Sequence, residues 1–133
     1  MTLPPDTAAV VIAHGSRAEA ANVAHRAVCD RLAERTDAPV VPAFLELAEP
    51  SLADAVDVLV AGGARRVIVL PYFLYPGRHI QRDIPALVDA ARQAHPDVTI
   101  DIGPLFGADE RVVDLLADHL GQVEPAPDAA EDR

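Results

Sequence analysis

Short β-rich apolar runs alternate with longer stretches of helical period along most of the chain. This alternation limits the fold more than any other feature. Residues 8–13 (AAVVIA) form one apolar run that breaks at His14-Gly15-Ser16. Residues 17–35 follow with Ala20, Val23, Ala24, Ala27, Val28 and Leu32 at helical spacing, which predicts a helix buried on that side. Residues 39–45 (PVVPAFL) read as a second strand, with Pro42 the weak point at its centre. Glu49-Pro50-Ser51 opens a helix whose face is Leu52, Val56, Leu59 and Val60, and Gly62-Gly63 stops it. A third strand lies within residues 66–71. A loop over residues 72–82 then holds Tyr72, Phe73, Tyr75 and Gly77. Asp83 is the expected N-cap of the next helix, with Pro85 in its first turn and Ile84, Leu87, Val88 and Ala91 on its face. Pro96 ends it, residues 98–102 form a fourth strand, and Asp109 starts a last helix through Val112, Val113, Leu116 and Leu120.

Strands alternating with helices predict a three-layer α/β sandwich around a four-stranded parallel sheet. Right-handed crossovers leave few topologies, and order 2-1-3-4 is the simplest that covers both faces. The 133 residues suit one domain, expected over residues 1–121. Residues 122–133 are Pro, Ala and acid, with four acids against one Arg, and read as a disordered acidic tail.

Composition removes several functions. The chain has no Lys, so lysine Schiff-base chemistry and the P-loop lysine are both excluded. A net charge of −10 argues against nucleic-acid and anionic-membrane partners. Cys29 stands alone, so no disulfide or all-Cys metal site forms within one chain. The N-terminal residues lack the positive charge and apolar stretch of a signal peptide, and no apolar run is long enough to span a membrane. The expected location is the cytoplasm.

Open parallel sheets bind ligands beyond the carboxyl ends of their strands, where the strand order reverses. With order 2-1-3-4 that point lies between strands 1 and 3. His14 leaves strand 1 there, His79 lies in the loop after strand 3, and Glu46 leaves strand 2 on the other side of strand 1. All three can bind metal or move protons. A loop His bonded to backbone is the competing reading for His14, and Glu49 competes with Glu46 from beside a helix start, where an acid suits the dipole. Ser16 is a candidate cap for the first helix, and that helix start with Arg17 also makes an anion site. Arg78 and Arg82 flank His79, close to Tyr75 and Gly77. Rings and arginines around one cleft would suit a flat, polyanionic organic ligand. His25, His95 and His119 read as surface residues, Cys29 as a small packing residue, and Arg65 and Arg66 as solubilising charges at the opposite edge of the sheet.

The segments VVIAHGSR, AFLELAEPSL and VIVLPYFLYPGRHIQRDIP, in this order, resemble the CbiX/SirB group of class II chelatases. The resemblance spans about residues 8–120. It implies a chelatase-like fold and insertion of Co²⁺, Fe²⁺ or Ni²⁺ into sirohydrochlorin, with the metal as substrate and no organic cofactor. It implies metal binding at His14 and His79 with Glu46 close by. Longer members fuse two such halves, and the short form is expected to pair as a homodimer. Two rivals remain at the level of sequence. One is a tetrapyrrole or metal carrier that no longer catalyses. The other is a hydrolase using Ser16 and His14, against which stands the lack of a G-x-S-x-G elbow.

Overall fold

The computed structural model describes residues 1–126 except the side chain of His79; the rest of the acidic tail lies outside the described residues. Four parallel strands, β1 (Thr7–Ala13), β2 (Val40–Phe44), β3 (Arg66–Pro71) and β4 (Thr99–Ile102), lie in the order β2-β1-β3-β4. Between and after them run α1 (Glu19–Ala33), α2 (Leu52–Ala61), α3 (Arg78–Ala94) and α4 (Glu110–Gln122). The expected α/β class, parallel sheet and strand order are all present. Pro42 is accommodated because β2 is an edge strand, where a missing N–H need cost no ladder bond.

Side-chain alternation along β1 divides the molecule into two faces. Ala8, Val10 and Ile12 join Val67, Val69 and Ile100 in a core closed by Leu52, Val56 and Leu59 of α2 and by Ile84 and Val88 of α3. Ala9 and Val11 point the other way, towards α1. The helix expected to open at Glu49-Pro50-Ser51 begins at Leu52, and the Ser51 hydroxyl caps it by accepting the Asp54 N–H at 3.2 Å.

Three helices depart from expectation. First, α3 begins at Arg78 with Gly77 as its N-cap, so Asp83 is not the cap and Pro85 stands in the helix interior. The helical pattern reaches back through Ile80, which packs on the core, and the polar residues around it conceal this turn in the sequence. Second, α1 buries Asn22, His25 and Cys29, while Ala20, Val23, Ala24 and Ala27 stay exposed. Alanines bury little area and do not decide a face, whereas Asn22 and His25 are held in by hydrogen bonds. Third, the Val112–Leu120 stripe of α4 is present, but α4 buries none of its residues. On the α1 side of the sheet, a cavity lined by Val11, Val28, Leu70 and Tyr72 is left open. The helix ends at Gln122, one residue past the expected domain boundary.

Candidate active site at the carboxyl edge of the sheet

The β1–β2 ladder continues past the strands and fixes the first two site residues. Leu45 N–H donates to the Ala13 carbonyl at 2.9 Å, and Glu46 N–H donates to the His14 carbonyl at 3.1 Å. Gly15 makes this approach possible. It has φ of +93°, and a Cβ there would overlap the Glu46 carbonyl oxygen. His14 Nδ1 consequently lies 3.7 Å from Glu46 Oε1 and 3.3 Å from the Gly15 carbonyl. Both side chains are about three-fifths exposed (59% each), so the pair stands at a surface open to a ligand. Carbonyl and carboxylate together favour the proton on Nδ1. That leaves the Nε2 lone pair facing away as the acceptor or ligand atom.

His14 stands between two cavities. One, of about 430 Å³, is lined by His14, Leu45, Glu46, Asp83, Ala86 and Leu87. The other, of about 370 Å³, includes His14, Ser16, Asn22, His25, Phe44 and Tyr72 in its lining. Glu46, rather than Glu49, shares a cavity with His14; the Glu49 carbonyl instead accepts a 3.2 Å bond from Arg26. Ser16 does not cap α1 directly. Its hydroxyl accepts the Ala18 N–H at 3.0 Å, and its own N–H donates to Asn22 Oδ1 at 2.9 Å, which together hold the turn after His14. Arg17 is exposed in that turn.

On the other side of the switch point, His79 belongs to the first turn of α3 rather than to a loop. Gly77, Arg78 and Arg82 sit at the same helix start, both arginines exposed, and Tyr75 is 74% exposed in the segment before it. Among the described residues, no three His, Cys, Asp or Glu side chains cluster as a metal-binding group. His14 and Glu46 are thus brought together, and Arg78, Arg82 and Tyr75 gather at the start of the neighbouring helix.

Sequence reasoning missed two participants. Asp83 lines the His14–Glu46 cavity. Pro76-Gly77 was the available signal, because starting the helix there puts Asp83 one turn after His79. His25 is buried, not on the surface. It donates Nε2–H to the Val11 carbonyl at 2.9 Å and meets Phe44 and Tyr72 edge-on at 5.2 and 5.4 Å. Its Nδ1 is buried with no hydrogen-bond partner among the described residues. Away from the site, His95 pairs with Asp57 at 2.7 Å and Arg66 with Asp101 at 3.5 Å, so Arg66 has a cross-strand partner.

A parallel α/β sheet that brings an imidazole and a carboxylate together beside a reversal in strand order defines a ligand-binding domain of the open-sheet class. The chain belongs to the CbiX family, which it matches over residues 8–123. It is 30% identical to a sirohydrochlorin cobaltochelatase of Methanocaldococcus jannaschii, over 84% of this chain and 95% of that one. It is 37% identical to a chloroplastic sirohydrochlorin ferrochelatase of Arabidopsis thaliana, over 84% of this chain but 50% of the relative. The chain thus spans about half the length, or less, of several curated relatives it matches. In structure it is similar to the sirohydrochlorin chelatase SirB of Bacillus subtilis in complex with cobalt. The TM-score is 0.82 at 28% identity, covering 95% of this chain and 58% of SirB. A CbiX protein from Marinobacter aquaeolei matches with a TM-score of 0.76 at 27% identity, covering 88% of this chain and 99% of that one.

Proposed function

We propose that this protein inserts a divalent metal ion, Co²⁺, Fe²⁺ or Ni²⁺, into sirohydrochlorin. The metal is a substrate, and no organic cofactor takes part. The observation that carries the reading is the exposed His14–Glu46 pair at the carboxyl edge of β1 and β2. Insertion replaces two pyrrole N–H protons by one metal ion, so the site must take up two protons while it strips water from the metal. A neutral imidazole does either task near pH 7, and His14 Nε2 is the free atom for it. Glu46 offsets the charge of the metal and of the imidazolium formed. His79, on the neighbouring helix start, is the second metal ligand, and Asp83 adds a further carboxylate to the cavity.

The substrate carries many carboxylates and the chain a net charge of −10, so binding needs local positive charge. Arg17, Arg78 and Arg82, with the N-terminus of α3, supply it beside Ser16, Tyr75 and Gly77. In the described residues no helix is long and apolar enough to cross a membrane. The same reading places the reaction in the cytoplasm, with a second copy of the chain as the protein partner and neither nucleic acid nor membrane bound.

The test is metal insertion into sirohydrochlorin, followed by absorbance, with the three ions in parallel. His14→Ala and His79→Ala should each lower the rate ~10²-fold or more. His95→Ala, which loses the Asp57 partner far from the cleft, should change stability and leave the rate alone. Equal rates in all variants would remove the assignment of the two histidines. Tight tetrapyrrole binding without even a single turnover would make the protein a carrier.

A further inference from the structure

Three side chains on α1 join the turn that carries His14 to the loop that carries Glu46. Glu19, Asn22 and Arg26 follow each other at helical spacing and share one side of the helix. Asn22 is 2% exposed and clips the backbone of Ser16 at two points. Its Oδ1 accepts the Ser16 N–H at 2.9 Å, and its Nδ2 donates to the Ser16 carbonyl at 2.8 Å. Nδ2 also donates to Glu19 Oε2 at 3.2 Å. Arg26 Nη1 donates to Glu19 Oε1 at 2.9 Å, and Arg26 Nη2 donates to the Glu49 carbonyl at 3.2 Å. The same guanidinium lies over the Phe44 ring, 5.2 Å from its centroid. Hydrogen bonds thus run without a gap from Ser16, just after His14, to Glu49, just after Glu46.

The ends of this bridge are the two segments whose spacing sets the site. β2 is an edge strand, so the loop after it has β1 on one side and no strand on the other. Leu45 and Glu46 tie its near limb to the end of β1. Phe44 N–H donates to the Pro50 carbonyl at 2.9 Å, which closes the loop on itself. Arg26 holds both limbs from α1, through the Phe44 ring and the Glu49 carbonyl. Stability alone does not account for the arrangement. The Glu19 and Arg26 side chains are 69% and 37% exposed, and exposed ion pairs add little. Neither residue lines either cavity at His14, so neither is placed to touch a ligand there. The bonds from Asn22 and Arg26 hold the Glu19 carboxyl below its usual range, so it stays an ionised acceptor for both at neutral pH.

We infer that Glu19 and Arg26 are positioning residues, which, joined to the His14 turn through Asn22, set the distance between His14 and Glu46 from behind the site. They act through that pair and not on the substrate. A carboxylate kept in register with the imidazole offsets charge at the metal, and a loop that drifts by about 1 Å no longer does so. This rests on the metal-insertion reading given above, and it assigns to that site its support from α1.

The full chain is titrated first with Co²⁺ alone and then assayed with Co²⁺ and sirohydrochlorin. Glu19→Ala and Arg26→Ala should each raise the Co²⁺ dissociation constant about 10-fold and lower turnover at saturating sirohydrochlorin by about 10-fold or more. The KM for sirohydrochlorin should not change, because neither residue meets it. Melting should shift by only a few degrees in either variant. Arg26→Lys keeps the charge but lacks the fork that spans Glu19 and Glu49, and should recover only part of the turnover. Arg92→Ala is the matched control. Arg92 also joins an acid of its own helix, Asp89 at 3.0 Å, to a neighbouring backbone, the Ile100 carbonyl at 2.6 and 2.9 Å, but between α3 and β4. Its loss should lower the melting temperature at least as much and leave turnover at the wild-type value. Unchanged Co²⁺ affinity and turnover in both α1 variants would overturn the positioning role and leave metal insertion standing. Full recovery by Arg26→Lys, or an equal loss of turnover in Arg92→Ala, would overturn it as well. A wild type that binds Co²⁺ but inserts none removes the insertion reading, and the Co²⁺ titration then decides the positioning role by itself. A wild type that neither binds nor inserts Co²⁺ removes both.

Discussion

Gly15 shows how one residue without a side chain sets the spacing of two that do chemistry. Its left-handed φ and its approach to the Glu46 carbonyl hold the ends of β1 and β2 together, and His14 and Glu46 meet as a result. Gly15→Ala should cost about 1–3 kcal/mol from backbone strain alone, and more once the Glu46 loop is displaced. Chemical denaturation will measure the loss, and metal insertion should fall beyond what the folded fraction explains. An Ala variant with wild-type stability would show that the loop yields easily and that the approach is not required. His14 and Glu46 are legible in the sequence because each directly follows a strand, so a correct strand order is enough to place them. His25 is not legible. Its neighbours Ala24 and Arg26 give no sign that the ring turns inward, and the Val11 carbonyl that receives its proton comes from a strand fourteen residues away.

Strands are easier to read than helix faces and starts. The four apolar runs become four strands because fully buried parallel strands need continuous apolar sequence, and few other segments here supply it. The face of α1 misleads because its apolar stripe consists largely of alanines, whose burial contributes little, while two polar residues find partners inside. The start of α3 reads six residues late because Asp83-Ile84-Pro85 imitates a cap and first turn. At α2 the local signal and the packing agree. Ser51 caps the helix through its hydroxyl, and Leu52, Ala55, Val56 and Leu59 fill the core beneath. Ser51→Ala removes one acceptor from an exposed helix end and should cost about 1 kcal/mol with no change in the strand order or in the α2 core contacts. Equilibrium unfolding in urea is the measurement. Ser51→Asp should recover most of the loss, because a carboxylate caps as well and suits the helix dipole. If Asp proves as damaging as Ala, the hydroxyl acts through something other than the cap.

The two faces of the sheet are closed to different degrees, and Cys29 reports on the α1 side. The α2–α3 side holds a continuous apolar core, whereas the α1 side combines Cys29, Asn22 and His25 with an open groove beside them. Burial, assisted by the negative charge of Asp30, pushes the Cys29 thiol up from its ordinary 9.0 to about 11. The native chain therefore keeps this proton at a pH where the unfolded chain has lost it. Stability from this group is fully present below pH 9, falls as pH rises above it, and is gone once pH passes about 11. Cys29→Ala removes the titration and leaves a small cavity, so the variant should be less stable than wild type at pH 8 by about 1 kcal/mol. Between pH 9 and 11 the gap should close, because only the wild type loses the thiol contribution. Every other ionisable group is common to both proteins and cancels in the difference. Melting curves under reducing conditions at half-unit steps of pH will show it. Alkylation of native Cys29 at pH 8 gives an independent check and should be slow, because the thiol is buried and protonated there. Rapid alkylation, or parallel stability profiles for the two proteins, would mean that water reaches the thiol and that the α1 side of the sheet is open as far as Cys29.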